Sequence, residues 1–350
     1  MNRKELLKYL KDITFKKRVS LPILDTVLLQ GDGEKLSLTH TDLEVYYHVK
    51  IDSKDVVQAA VNLKSLIEVL SSLNDNEVTL SNIGDTLVIN EKISLRGEDV
   101  TEFPPLPRDT FDLYLCDGLG AAFQKICYAA STDYVHVSRN GIHMVSKDGQ
   151  GILEATDGFR IAQTSIKTDL VCDVIIPNEV IKQVQKSFKG NVLMGVTNSQ
   201  IEGKNEMVMF QWDNVTVYSY LINGDFPDTK AIFPKSYKNR VTVQVRDFTA
   251  ALMQVYKIAS KNDYNTITLD INDNSISVSA TAEDVGSIEV SVPCDLQGDS
   301  IKIGFNCTYI LDYMKNKTGE VTIKLNNPKS PALFEQEGSE TYLLMPMRLG

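Results

Sequence analysis

Three stretches of this 350-residue sequence repeat one pattern, and that repeat limits the fold more than any single motif does. Each is headed by a Thr-Asp or Glu-Asp dipeptide, Thr41-Asp42, Thr156-Asp157 or Glu283-Asp284, and runs into a β-prone segment: LEVYYHVKI, GFRIAQTSI or VGSIEVSV. Each then reaches an asparagine, Asn62, Asn178 or Asn306, lying 20, 21 or 22 residues beyond its aspartate. An asparagine side chain accepts from the orphan N–H groups of a helix's first turn, so each predicts a helix start. Leu63, Leu66, Ile67 and Leu70 follow the first at helical spacing; Cys307, Ile310, Leu311 and Met314 repeat those offsets after the third. The middle copy drifts in register but keeps an apolar face of Val180, Ile181, Val184 and Phe188.

Each copy also opens on a helix, with Leu6, Leu10 and Ile13 matched by Leu119, Phe123 and Ile126 and by Phe248, Leu252 and Val255. Between the helices lie alternating or β-branched runs such as KLSLTHTDLEVYYHV and TITLDINDNSISVSA. The predicted unit is helix, strands, helix, strands, an α+β fold with two helices backing antiparallel sheet. Proline-bearing connectors at 102–109 and 233–240 end strands and divide the chain into domains at 1–108, 109–236 and 237–350.

The net charge of −10 argues against a nucleic-acid partner if it is spread evenly, because phosphates are neutralised by Lys and Arg. It is not spread evenly. Six predicted helical segments (2–18, 62–73, 117–131, 178–190, 246–261 and 306–317) together carry +10, leaving −20 for the remainder. Lys4, Lys8 and Lys11 fall opposite Leu6, Leu10 and Ile13; Lys182, Lys186 and Lys189 repeat the spacing; Lys257 and Lys261 oppose Phe248 and Leu252. A single lysine row keeps a helix soluble. The same segregation in three copies predicts a helix-lined surface for a polyanion, gripped through its phosphates without sequence readout.

The chain resembles the bacterial DNA polymerase III beta sliding clamp family along its length. The resemblance is carried by RVSLPIL (18–24), TDLEV (41–45), EFPPL (102–106), ATDGFRIA (155–162), GDFPDTKAIFPK (224–235), GFNCTYILDYMK (304–315) and YLLMPMRL (342–349). It implies a ring of three-domain subunits, closed head to tail as a homodimer, that encircles double-stranded DNA without sequence specificity and tethers the replicative polymerase, the clamp loader and other proteins with clamp-binding motifs. It implies DNA contact at Arg18, to which the charge pattern adds Lys8, Lys11, Lys16, Lys17, Lys182, Lys186, Lys189, Lys257 and Lys261. It implies a partner-peptide groove from Thr156, Gly158, Phe159, Arg160, Ile161, Pro227, Ile232, Leu343, Met345, Pro346, Met347 and Arg348, and a subunit contact near Ile93 and Ile258. Thioether side chains suit a groove that repacks around different partners. Two residues depart from the family pattern: Phe159 stands where histidine is common, and Arg139 near an apolar pocket position. A clamp-like module that binds peptides without encircling DNA is the alternative reading.

Catalytic and cofactor chemistry is not predicted. His40, His48, His136 and His143 form no metal-ligand spacing, and the stretch from Asp270 to Thr281 lacks the glycine and terminal glutamate of a calcium loop. Gly118 and Gly120 belong to no complete dinucleotide fingerprint, since Phe123 takes the third glycine's place. The five cysteines are scattered, and no segment approaches 18 consecutive apolar residues, so the expectation is a reducing cytoplasm and no membrane partner.

Overall fold

The computed structural model describes residues 1–14, 21–133, 135–185, 187–188, 191–197 and 206–349. The first copy runs α1 (Arg3–Asp12), β1 (Thr26–Asp32), β2 (Lys35–Thr41), β3 (Val45–Asp52), β4 (Val56–Asn62), α2 (Leu63–Ser72), β5 (Leu80–Ile83), β6 (Thr86–Ile89) and β7 (Ile93–Glu98). The second runs β8 (Tyr114–Cys116), α3 (Leu119–Ile126), β9 (Gly141–Lys147), β10 (Gln150–Thr156), β11 (Arg160–Lys167), β12 (Cys172–Pro177), α4 (Asn178–Val184), β13 (Val192–Val196), β14 (Met207–Trp212) and β15 (Val215–Tyr220). The third runs β16 (Asn239–Gln244), α5 (Val245–Ala259), β17 (Thr266–Asn272), β18 (Ser275–Ala282), β19 (Gly286–Gln297), β20 (Ile301–Asn306), α6 (Cys307–Met314), β21 (Glu320–Leu325), β22 (Ala332–Glu335) and β23 (Thr341–Leu344).

The order is the same in all three. Where the second and third copies pair a leading strand with the one after their second helix, β8 with β13 and β16 with β21, the first makes a single bridge from Asn2 to Glu77. The apolar faces read from the sequence are the buried ones: Leu6, Leu10, Phe123, Ile126, Phe248, Leu252 and Val255 are sealed from solvent.

The helix starts follow the predicted chemistry at two asparagines of three. Asn62 accepts from Ser65 N at 3.0 Å, and Asn306 from Thr308 N at 2.9 Å and Tyr309 N at 3.3 Å. Asn178 is instead the first residue of α4, behind Pro177, and is buried. Pro177 has no side chain that can accept, which leaves this helix without the predicted cap. A cap of the same kind that the repeat did not flag is Asn2, which accepts from Lys4 N and Glu5 N. The stretch tested for a calcium loop is the β17–β18 hairpin, closed over a two-residue turn by the Asn272–Ser275 pair.

Helix extent corrects the charge reading. α1 carries +2, α3 and α5 +1 each, α6 −1, and α2 and α4 are neutral, so the folded helices hold +3 of the expected +10. Of the remainder, +5 belongs to Lys16, Lys17, Arg18, Lys186 and Lys189, which lie outside the described residues, and +2 to described residues beyond the helix ends. Lys317, counted among those cations, pairs with buried Glu340 at 2.9 Å.

The chain divides into two compact units, one of 1–124, 144–151 and 166–223, the other of 125–143, 152–165 and 224–350. The middle copy is thus shared out between them. In the first unit one antiparallel sheet runs β5-β6-β7-β4-β1-β2-β3-β15-β14-β13-β8. β3 of the first copy there hydrogen-bonds β15 of the second, with Val45 opposite Ser219. In the second unit the order is β11-β23-β22-β21-β16-β19-β18-β17-β20, with Arg160 opposite Leu344.

Two strands are paired along only part of one edge. β7 lies against β6 from Ile93 to Arg96 but meets β4 only at Gly97 and Glu98. β19 lies against β18 from Gly286 to Pro293 but meets β16 only from Cys294 to Gln297. Among the described residues no other strand covers Ile93–Arg96 or Gly286–Pro293.

Candidate peptide-docking site

The second unit holds the predicted groove residues, and the Thr156-Asp157 turn organises them. Asp157 Oδ1 accepts from Phe159 N at 2.9 Å and Arg160 N at 3.2 Å, while Thr156 Oγ1 accepts from Gly158 N at 3.0 Å. A side chain that satisfies successive N–H groups fixes a tight turn. Gly158 completes it at φ +95°, where an L side chain is strained. The turn throws the Phe159 ring outward, 59% exposed, and Phe159 O accepts from Met345 N at 2.9 Å, just past the end of β23. Ile232 and Met345 are 42% and 36% exposed.

Several predicted groove residues turn out to support the groove rather than line it. Arg160 is only 8% exposed; its Nε donates to Asp157 at 3.0 Å, Nη1 to Asp312 at 2.7 Å and Nη2 to Tyr128 O at 2.7 Å, and its guanidinium stacks 4.2 Å from the Tyr309 ring centre. Each of its three nitrogens therefore already donates within the fold. Thr156 is buried and spends its hydroxyl proton on Arg160 O. Ile161 and Leu343 form a buried cluster with Leu333, against which Phe233 and Tyr237 pack. Pro346 and Met347 are half-buried, and Arg348 is exposed. Met347 N is tied to Gly304 O at 2.8 Å, where an added side chain would strike Leu349 and Met347, so the tail follows a set path.

Pro227 sits half-buried in the connector before β16, and that connector is gripped on both sides of it. His143 stacks on Phe226, ring centres 4.6 Å apart. Thr229 Oγ1 donates to Glu154 Oε2 at 3.0 Å, Gln163 donates to Oε1, and His143 Nδ1 lies 3.9 Å from Oε2. Burial works to raise the Glu154 pKa, yet the hydrogen bonds from His143, Thr229 and Gln163 outweigh it and hold the carboxyl below its ordinary value. Sequence reading missed this cluster, because its members are four separate polar residues with no motif spacing. It missed Asp312 and Tyr128 for the same reason.

Of the predicted DNA-contacting lysines, Lys8, Lys11, Lys182, Lys257 and Lys261 are exposed on or just past their helices. Lys16, Lys17, Arg18, Lys186 and Lys189 lie outside the described residues. Ile93 and Ile258 are half-buried, the first on β7 and the second on α5. No cluster of metal-ligating side chains occurs among the described residues. No described helix is long and apolar enough to cross a membrane.

A thrice-repeated α+β unit with strands continuing from copy to copy, and exposed Phe159, Ile232 and Met345 near one junction, defines a protein of the DNA-clamp fold. Models of the N-terminal, central and C-terminal domains of the DNA polymerase III beta subunit match residues 1–107, 117–228 and 230–348. The chain belongs to the DNA polymerase III beta subunit family. The beta sliding clamp of Staphylococcus aureus is 25% identical over 355 residues, covering 95% of this chain and 93% of the relative. That of Synechococcus elongatus is 27% identical over 363 residues, with the same shares. Among solved structures, a DnaN sliding clamp from Bartonella birtlesii bound to griselimycin matches with TM-score 0.90 at 24% identity, over 100% of this chain and 99% of that one. The Thermotoga maritima beta subunit matches at 0.88 and 22%, over 100% and 98%.

Proposed function

We propose that this chain is a DNA sliding clamp, a non-catalytic subunit that closes around duplex DNA and tethers replication proteins in the cytoplasm. The observation that carries the reading is the family match in all three domains, in order, on a fold whose helices present exposed lysines. Domains of 1–108, 109–236 and 237–350 follow from the repeat. Lysines on long stems neutralise phosphates without reading bases, which a mobile tether requires. Retention then depends on topology more than on affinity.

Ring closure needs a second copy, and the two half-open strand edges are suited to it. An unpaired edge is a template for another chain. Along β7, half-buried Ile93 and Leu95 alternate with exposed Ser94 and Arg96; along β19, half-buried Ile288 and Val290 alternate with exposed Ser287, Glu289 and Ser291. Antiparallel pairing of β7 with β19 of a second copy continues both sheets, with apolar residues on one face. This moves the third-domain side of the contact from Ile258 to the β19 edge. The contact is heterologous, and two copies close it into a ring.

The partners are the replicative polymerase, the clamp loader and other proteins that dock a short apolar or aromatic motif beside Phe159, Ile232 and Met345. To test the reading, the protein is loaded on nicked circular DNA, which is then linearised: release on linearisation is expected, and equal retention on both forms overturns it. Light scattering should give the mass of a dimer. A stable monomer favours the peptide-binding module that does not encircle DNA.

A further inference from the structure

The groove carries one cation that the fold leaves uncommitted. Arg139 lies in the turn Val137–Asn140, and its guanidinium rests on Gly158: a side chain added at Gly158 would meet Nη1 at 2.7 Å. The same turn reaches the connector bearing Pro227, since Ser138 lies 3.8 Å from the position of an added Cβ at Gly224. Arg139 therefore stands between two segments of the groove rim, in a neighbourhood where Val137 and Phe159 are exposed apolar residues.

Its charge has no ion pair among the described residues. The carboxylates around it are committed elsewhere. Asp133, whose pKa is lowered first by hydrogen bonds from Val135 N and His136 and least by the charge of Arg139, accepts from Val135 N at 2.9 Å and pairs with His136 at 3.3 Å. Asp157 is taken up by Phe159 N, Arg160 N and Arg160 Nε. Asp228 accepts from Lys230 N. The neighbouring cation, Arg160, is buried, and its three nitrogens are engaged with Asp157, Asp312 and Tyr128 O, so it does not present an open fork as Arg139 does.

We infer that Arg139 makes this groove selective for partner peptides that place a carboxylate beside their apolar anchor, an inference that rests on the docking reading of the groove above. A half-buried guanidinium presents several N–H donors in a planar fork, which matches a carboxylate and not an amide or an alkyl group. Partial desolvation on docking strengthens the contact relative to open water. A neutral partner, by contrast, covers Arg139 without replacing its water and binds less well.

Two labelled peptides that share a leucine–phenylalanine anchor and differ only by Glu or Gln at the flanking residue test this by fluorescence polarisation. The wild-type protein should bind the Glu peptide about tenfold more tightly at low ionic strength, the worth of one charge-assisted hydrogen bond, and the gap should shrink with added salt. In Arg139→Leu the gap should fall below about twofold while the Gln peptide binds as well as before or better. Arg139→Lys should keep part of the preference, having the charge without the fork. Equal wild-type affinity for both peptides overturns the inference and leaves the groove standing, as does a gap that survives in Arg139→Leu. Failure of the wild type to bind either peptide overturns the groove reading and the inference together. Unchanged circular dichroism and melting in the variants exclude misfolding as the cause.

Discussion

The same turn occurs at two junctions between copies, and the side chains it presents differ between them. At the first, Asp42 Oδ1 accepts from Glu44 N and Val45 N and Thr41 Oγ1 from Leu43 N; at the second, Asp157 and Thr156 do this for Phe159, Arg160 and Gly158. Tyr220 N donates to Glu44 O at 3.0 Å, as Met345 N does to Phe159 O at 2.9 Å. The backbone frames are equivalent. The side chains are not: an exposed Glu44 stands where Phe159 stands, and a buried Val45 where Arg160 stands. Tyr220 and Met345 are both exposed, but the first junction goes on into buried Leu221 while the second runs out along half-buried Pro346 and Met347 and exposed Arg348. A repeated scaffold thus supplies two platforms, and a few substitutions give them different faces.

Arg160 is the largest single difference, and removing it should break the second platform outright. Arg160→Leu strands Asp157 and Asp312 without their cation and frees Tyr128 O. Breaking a buried pair costs roughly 3–5 kcal/mol, and about 3 kcal/mol is expected here because Asp312 still reaches water. Urea denaturation followed by tryptophan-independent far-UV circular dichroism reads the loss; a change under about 1 kcal/mol means the network is dispensable. Next in size is the exchange of one platform's face for the other's. Phe159→Glu copies Glu44 into the groove and should weaken partner-peptide binding about 10- to 100-fold, typical for loss of an aromatic anchor, while leaving stability almost unchanged. Undiminished binding shows that Phe159 is a bystander.

The repeat, the buried helix faces and the turn aspartates were legible because each rests on short-range periodicity or on one capping side chain. Asn62 and Asn306 cap as their spacing predicts, and Asp42 and Asp157 close the same turn in two copies. The residues assigned to the groove came from family resemblance, which did not say which of them face outward. Nothing in the string ATDGFRIA distinguishes outward Phe159 from inward Arg160, because the partner that draws Arg160 inward, Asp312, is 152 residues away. Helix ends were the weakest reading. Val180 and Val184 keep their periodicity on α4, and of its predicted lysine row Lys182 lies on the helix while Lys186 and Lys189 fall outside the described residues.

A smaller effect separates the platforms by pH. Glu154, beside the second turn, is held below its ordinary pKa, and its equivalent beside the first is Thr39, a hydroxyl bonded to His48 that carries no charge. A depressed carboxylate contributes stability above the unfolded-state pKa and loses it as pH falls through the folded value. As pH falls through the range in which carboxylates protonate, the wild type should therefore lose stability that Glu154→Gln lacks at any pH. Urea midpoints taken across that range should converge at the acid end. Parallel curves would mean that Glu154 has no net tie to His143, Thr229 and Gln163.

The subtlest difference lies in the residue that turns the corner. Both frames need a positive φ there, and the second has Gly158 at +95° while the first has Leu43 at +76°. Left-handed backbone costs a non-glycine residue about 1 kcal/mol or somewhat more, whereas glycine adopts it freely but loses about 0.5–1 kcal/mol of chain entropy on folding. The Leu43 side chain is 37% exposed, so trimming it forfeits little burial. Leu43→Gly should consequently be neutral or stabilising by up to about 0.5 kcal/mol, a rare sign for a leucine deletion. Gly158→Ala should do the reverse and cost about 1–2 kcal/mol, since the new methyl meets Arg139 as well as the strained φ. If Leu43→Gly instead costs more than about 1 kcal/mol, the Leu43 side chain makes a contact that sets the first platform apart, and the two turns are alike in hydrogen bonding only.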